Sequence, residues 1–349
     1  MNSRARSLSV LFPCRDAAAY LPQAIRSLQA QTFADFEVVA VDDGSADGSG
    51  ELLERWARMD GRVRLLRLGR SGLTEALRAG AELCHGEYLA RFDADDVAHP
   101  LRFGRQLQFM RGRPDIAASG THIRYFPAEV VGWGARRYER WLNGLSEPEQ
   151  LARDIFVECP IAHPTLMLRR SVFEEVGGYQ SESWPEDYDL ILRLHAAGAR
   201  LANVPQVLHF WRERSDRASR TELRYSADAF RRCKVQYLRA TDLRGWGRGR
   251  GRGRRDSVAV WGAGRVGKDF ARALSDAGVT VRAFYDIDPD KIGQRIDDIP
   301  VRDARRLDGR GGGDPYILVA VGASGARELI RGQLTAAGRR EPEDYRCVA

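Results

Sequence analysis

Four short apolar runs, Ser7–Phe12, Glu37–Val41, Arg62–Leu68 and Tyr88–Phe92, are separated by stretches whose apolar residues recur at helical spacing. Leu21, Ile25 and Leu28 stand at i, i+4 and i+7. Leu52, Leu53 and Trp56 form a second stripe with Asp47 or Ser49 as its N-cap, and Leu73, Leu77 and Leu83 suggest a third. Strands joined through helices need crossovers, which are right-handed, so this alternation predicts βαβ units and a parallel sheet. Farther on the pattern is less regular, with helices predicted near Pro100–Arg111, Glu147–Phe156 and Asp187–Ala197.

Two of the runs end in acid. Asp42-Asp43-Gly44-Ser45 follows the second, and Asp93-Ala94-Asp95-Asp96 follows the fourth. Carboxylates this close repel one another unless solvated or offset by a cation. Parallel strands bring their carboxyl ends to one edge, where open α/β sheets bind ligands. The pair of clusters therefore points to a site for a metal and a nucleotide diphosphate. A solvated loop with Asp96 capping the next helix is the plainer reading of the second cluster, and a turn that satisfies backbone donors is the plainer reading of the first.

The chain of 349 residues has room for two domains. Its net charge of +7 is concentrated in Arg244–Arg255, where six arginines alternate with glycines around Trp246; without them the charge is near zero. That segment reads as a flexible linker. With so little aromatic interleaving no nucleic-acid partner is expected, while attraction to an anionic membrane surface fits its charge. The five cysteines are scattered, with no CxxC pair, as suits a reducing cytoplasm. No apolar run is long enough to span a bilayer. The expected location is cytoplasmic, with peripheral contact at the inner membrane face through the linker.

Beyond the linker, a strand at Ser257–Trp261 leads into Gly262-Ala-Gly264-Arg-Val-Gly267 and a helix through Leu274. A strand at Val281–Tyr285 then ends at Asp286, and Tyr316–Val321 and Ala326–Ala337 supply another strand and helix. Gly262, Gly264, Gly267 and Asp286 have the spacing of a dinucleotide fingerprint, in which glycines admit a phosphate to a helix N-terminus. The expectation is a compact mononucleotide-binding half of a doubly wound fold, with a second nucleotide site or a structural role. No tyrosine–lysine pair at helical spacing accompanies it, so NAD is not expected to be needed, and a nucleotide-sugar-binding or NAD-dependent protein acting through this domain is the rival reading.

Val10-Leu-Phe-Pro-Cys-Arg15, Val41-Asp-Asp-Gly-Ser45, Asp93-Ala-Asp-Asp96, His163-Pro-Thr165, Gly177-Gly-Tyr179 and Glu186-Asp-Tyr-Asp-Leu190, in this order, resemble the motifs of family-2 glycosyltransferases of the GT-A fold. The resemblance covers residues 7–243 and implies an α/β fold: a GT-A domain over 1–243, the linker at 244–255 and a small Rossmann-like βαβ domain over 256–349. It implies a metal-dependent inverting transfer of a sugar from a nucleotide sugar, UDP-linked, to a saccharide or lipid-linked saccharide, as in glycan, lipopolysaccharide or exopolysaccharide assembly.

By the same resemblance, Asp93 and Asp95 form a DXD motif holding Mg²⁺ or Mn²⁺. Pro13, Arg15, Asp42, Asp43, Asp93 and Arg212 contact the donor nucleotide. Asp187 is the base that takes the acceptor proton, and Glu186 orients or binds the acceptor. First-turn acids that complement a helix dipole are the alternative for Glu186, Asp187 and Asp189. His163 reads as a loop-fixing residue, and Trp184 as either a sugar-stacking or a core side chain. Arg214 stands where the family commonly has histidine, so a histidine metal ligand is not expected, and Arg212 with Arg214 would clamp the diphosphate. Trp133, Tyr138 and Trp141 fall in Arg113–Gly144, a variable loop region, and no role for them is legible.

Overall fold

The computed structural model describes residues 6–244, 257–307 and 315–349, and the seven strands and four helices predicted with bounds at both ends all lie within two residues of those bounds. The Arg/Gly segment, apart from Arg244, lies outside the described residues. The chain divides into two compact units: Met1–Ala152 with Pro160–Glu222, and Arg153–Cys159 with Leu223–Ala349. The expected boundary at residue 243 therefore falls inside the second unit. The reason is the helix Ala227–Ala240, which buries Ala229, Cys233, Val235 and Leu238. Its buried Lys234 donates to the carbonyls of Val157 and Val348, 2.7 and 3.1 Å away, within that second unit.

The first unit carries strands β1 (Leu8–Cys14), β2 (Phe36–Asp43), β3 (Val63–Leu68), β4 (Tyr88–Arg91), β5 (Val97–Ala98), β6 (Ile116–Phe126), β7 (Met167–Arg169) and β8 (Arg200–Arg212). They form one eight-stranded sheet in the order β3-β2-β1-β4-β7-β6-β8-β5. The first four are mutually parallel, as the alternation requires. β7 runs antiparallel to β4 and β6, and β5 antiparallel to β8. All seven residues of β1 are buried, the mark of a parallel strand covered on both faces, whereas β3 exposes Arg64 and Arg67 at the sheet edge.

One face of β1 packs Val10 and Phe12 with Leu21 and Leu28 of helix Leu21–Gln29, Leu53 and Trp56 of Ser49–Met59, and Phe103 and Leu107 of Arg102–Gly112. On the other, helix Leu73–Glu82 approaches so closely that a Cβ on Gly80 would stand 2.5 Å from Leu11 and 2.7 Å from Val41.

The second unit has a six-stranded sheet. Its strands β9 (Ser257–Trp261), β10 (Thr280–Asp286), β11 (Arg295–Ile296), β12 (Ile299–Asp303), β13 (Tyr316–Val319) and β14 (Tyr345–Cys347) are ordered β11-β12-β10-β9-β13-β14. All but β11 are parallel to their neighbours. This corrects the expected half-fold: the sheet continues past the strand-order reversal between β9 and β13. β14 escaped the sequence reading because three residues show no period, and β12 because Pro300, Arg302 and Asp303 break its apolar run. All five cysteines are free and buried, and among the described residues no helix is long and apolar enough to cross a membrane.

Phe12 anchors the first core, with its ring 5.5 Å from Trp56 and 5.9 Å from Phe92. Phe12→Ala is expected to lower the unfolding free energy by about 3–5 kcal/mol in a denaturant titration. A loss below 1 kcal/mol, on the order of a surface change, would mean that the cluster collapses to fill the space.

Candidate active site

Sheet register assembles the site. Cys14 lies opposite Asp42 and Leu11 opposite Arg91, so β1, β2 and β4 end along one edge. The buried thiol of Cys14 is pushed up to about 12, first by burial, and Asp42 and Asp95 both add to the rise. Both acidic clusters thus act on one side chain. Tyr179 does the same for the remainder: burial drives its hydroxyl well above the usual range, Arg91 opposes this, and Glu186, Asp187 and Asp93 reinforce it. The three acidic motifs, 145 positions apart from Asp42 to Asp187 in the chain, converge on one region.

Within each motif the carboxylates have separate duties. Asp42 accepts from the Ser45 amide at 3.1 Å, closing the turn. Asp43 is buried and accepts from the amides of Ser71 and Gly72, which ties β2 to the loop before helix Leu73–Glu82. The backbone role expected as the plainer reading of this turn is present. Arg15 is half-exposed, 3.8 Å from both Asp43 and Asp16. Pro13 pairs with Val41 at the same strand ends.

Asp96 does not cap the following helix, whose N-cap is Leu101. It is fully buried, and its two oxygens take His209 Nε2 at 2.8 Å and the Arg212 amide at 2.7 Å. Arg102, also fully buried, contacts His209 Nδ1 at 3.1 Å and donates to the Arg91 carbonyl at 2.8 Å. Because a guanidinium only donates, Nδ1 is the acceptor and Nε2 carries the proton given to Asp96. Burial, followed by Arg102, holds His209 well below its ordinary pKa, which agrees with a neutral ring.

Asp93 pairs with the buried Arg91, and Asp95 with Arg214 Nε at 3.1 Å. Oxygens of Asp93, Asp95 and Asp96 lie within 4.8 Å of one another. Burial pushes the Asp95 carboxyl up to about 7, and Asp96 and Asp93 push in the same direction against Arg214 and Arg217. With Asp96 consumed by the network, Asp93 and Asp95 remain as a crowded pair of hard oxygen donors, which fits a divalent cation.

Arg212 is occupied otherwise than expected. Its Nε donates to the Asp95 carbonyl at 2.7 Å and its Nη2 to Gln23 at 2.6 Å, while its guanidinium lies over Tyr20 and Phe126. These contacts hold the acidic loop in place. Arg91 and Arg217 went unrecognised in the sequence. Arg91 sits inside an apolar strand, and Arg217, over Trp211, follows β8 with no spacing signal.

Glu186 and Asp187 open the helix Glu186–Ala196 after Pro185. Glu186 is buried, 3.8 Å from His163 Nδ1, and Asp187 is half-buried, with one oxygen accepting its neighbour's amide at 2.7 Å. Asp189 is held by Trp184 Nε1 at 2.9 Å and Arg193 Nε at 2.7 Å, so Trp184 is tied to the helix start. His163 joins Tyr179 at 2.8 Å, the loop-fixing contact expected of it. Tyr138 and Trp141 pack on the cluster containing Ile123, together with Trp211, while Trp133 is exposed.

The family model of Glycosyl transferase family 2 matches residues 9–177. The amylovoran biosynthesis glycosyltransferase AmsE of Erwinia amylovora is 33% identical over 56% of this chain and 71% of its own. The O-antigen biosynthesis glycosyltransferase WbnJ of Escherichia coli is 27% identical over 62% of this chain and 84% of its own. Among solved structures, S. aureus TarS in complex with UDP-GlcNAc superposes with a TM-score of 0.56 at 16% identity, over 67% of this chain and 66% of that one. This last likeness is one of fold.

Asp96→Ala would leave the His209 proton and the Arg212 amide without an acceptor inside the core, and is expected to cost about 3–5 kcal/mol in urea unfolding. Asp95→Asn, which removes a carboxylate crowded by two others, should leave stability unchanged or raise it. Equal losses for the two variants would show that the network does not depend on Asp96.

Proposed function

The chain belongs to glycosyltransferase family 2, and we propose that it moves a sugar, with inversion, from a uridine diphosphate sugar to a hydroxyl of a saccharide or lipid-linked saccharide acceptor. The observation that carries this reading is the convergence of Asp42–Asp43 and Asp93–Asp95 at the strand ends set by the register of β1, β2 and β4, with Glu186–Asp187 joined to Tyr179 through His163. Relatives named for amylovoran and O-antigen biosynthesis support a glycan acceptor, and TarS supports the donor class at the level of fold.

In this mechanism the nucleoside lies against Asp42, Asp43, Pro13 and Arg15 at the ends of β1 and β2. Asp93 and Asp95 would hold Mg²⁺ or Mn²⁺, which when bound offsets negative charge on the departing diphosphate. Arg91 and Arg214, now paired with these carboxylates, add fixed positive charge beside them, and Arg212 keeps the loop in register. The half-buried Asp187 accepts the acceptor hydroxyl proton as its oxygen bonds to the anomeric carbon. On the opposite side the bond to the diphosphate oxygen breaks, and the electron pair leaves with the nucleotide. Direct displacement of this kind inverts the anomeric centre. Glu186, held near His163, orients the acceptor.

Two measurements test this. UDP titrated into the protein should bind at least about tenfold more tightly with Mn²⁺ than in EDTA, and Asp95→Ala should abolish that gain. Equal, weak binding in all cases would sink the metal assignment. Asp187→Asn should keep UDP affinity within about twofold while turnover falls by about 10²–10⁴; retained turnover would remove Asp187 as the base.

A further inference from the structure

We infer that the second unit holds a nucleotide site of its own, which takes a nucleoside diphosphate. At the point where the strand order reverses between β9 and β13 lies a cavity of about 340 Å³, whose lining includes Gly262, Gly264, Lys291, Ile287, Val321 and Leu329. Ligands in open α/β sheets bind in this crevice, outside the carboxyl ends of the strands.

The three glycines of the turn are not alike. Gly262 has a φ of +117°, and a Cβ there would meet the Ala320 carbonyl at 2.8 Å. A Cβ on Gly267 would overlap the Gly262 carbonyl at 1.7 Å, so helix Arg265–Asp276 can lie on the turn only if this residue is glycine. The protein's own packing accounts for both. Gly264 differs: its backbone is extended, with φ −83° and ψ −174°, and a Cβ would have no atom within 4 Å. Among the described residues nothing stands in front of it, and Gly264 lines the cavity. A bare backbone facing a void at the amino end of a twelve-residue helix is what close approach of a phosphate requires.

A second observation concerns the walls. Val266, Ile287 and Leu329 are 41%, 56% and 72% exposed, and these three large apolar side chains all line this one cavity. Exposed apolar groups gathered around a concave site mark a ligand surface. An anion position at the turn beside an apolar slot, within one small cavity, matches a phosphate joined to a flat base. Lys291, 3.0 Å from Asp288 and 3.5 Å from Asp286, contributes a cation at the rim.

The ligand is a mononucleotide. The cavity is at the small end of the range of about 300–1,000 Å³ for ligand pockets. Past the reversal the described residues contain only β13 and β14, fewer strands than the second half of a dinucleotide fold. Asp286, the acidic residue of the fingerprint, is engaged by backbone amides. Its carboxylate accepts from the amides of Ala263, Ile287 and Asp288 at 2.8, 2.8 and 3.0 Å, so it shapes the glycine turn.

The test uses the full-length protein in EDTA, titrated calorimetrically with ADP and, separately, with UDP. At least one of the two should show a binding event that Gly264→Asp, which puts a carboxylate at the phosphate position, weakens by about tenfold or more. Asp43→Asn, in the first unit, should leave that event unchanged. Ile287→Arg fills the slot from an exposed position and supplies the same reading if Gly264→Asp lowers the melting temperature. The nucleotide that binds more tightly identifies the preferred base. If neither nucleotide's binding responds to either variant, the site is not a nucleotide site.

Discussion

The first unit depends on a carboxylate that no solvent reaches. Asp96 receives the proton of His209 and the amide of Arg212, and through His209 and Arg102 it is linked to the carbonyl of Arg91. The circuit joins the end of β4, the acidic loop, the start of helix Arg102–Gly112 and the last turn of β8. Such a buried polar network is costly when incomplete and rigid when satisfied. Here both Asp96 oxygens are satisfied, and the loop that carries Asp93 and Asp95 is held at one height above the sheet edge.

That rigidity lets neighbouring carboxylates remain under strain. Asp93, Asp95 and Asp96 repel one another, and this repulsion adds to burial in raising the pKa of Asp95. In an isolated loop the chain would simply move apart. Against the fixed Asp96, with Arg212 gripping the Asp95 carbonyl, it does not, and arginines stand beside the charges instead. The same division recurs at helix Glu186–Ala196. There Asp189 is saturated by Trp184 and Arg193, while Asp187 keeps a half-exposed position. Asp96 and Asp189, buried and held by several donors, build the scaffold, and Asp93, Asp95 and Asp187 beside them are less buried.

Much of the first sheet was legible, because strands buried on both faces read as continuous apolar runs and their crossovers as helical stripes. The second sheet was legible only where strands were mostly apolar: β9, β10 and β13 stood out, whereas β12, broken by Pro300 and Arg302, and the three-residue β14 did not. Side-chain duties were harder to read. Asp96 looked like a helix cap because it lies a few residues before a helix, but the contact that engages it comes from His209 and Arg212, more than a hundred positions away. Arg212 looked like a phosphate clamp because it is a cation near the acids, and its Nε and Nη2 donate to the loop and to Gln23. Arg91 was invisible as a functional neighbour, since a buried arginine within an apolar strand has no local signature.

The sequence by itself determined the alternation of the first four strands with their helices, the parallel pairing of β1 to β4 and the positions of the acidic motifs, because these follow from local periodicity and from which residues end each strand. Only the tertiary structure decided which carboxylate of each cluster is structural, which arginines face them, and that the three motifs meet. Those outcomes depend on sheet register and on contacts between residues remote in the chain. Electrostatic and hydrogen-bonding partners are chosen by distance in space, and spacing along the chain does not encode that distance.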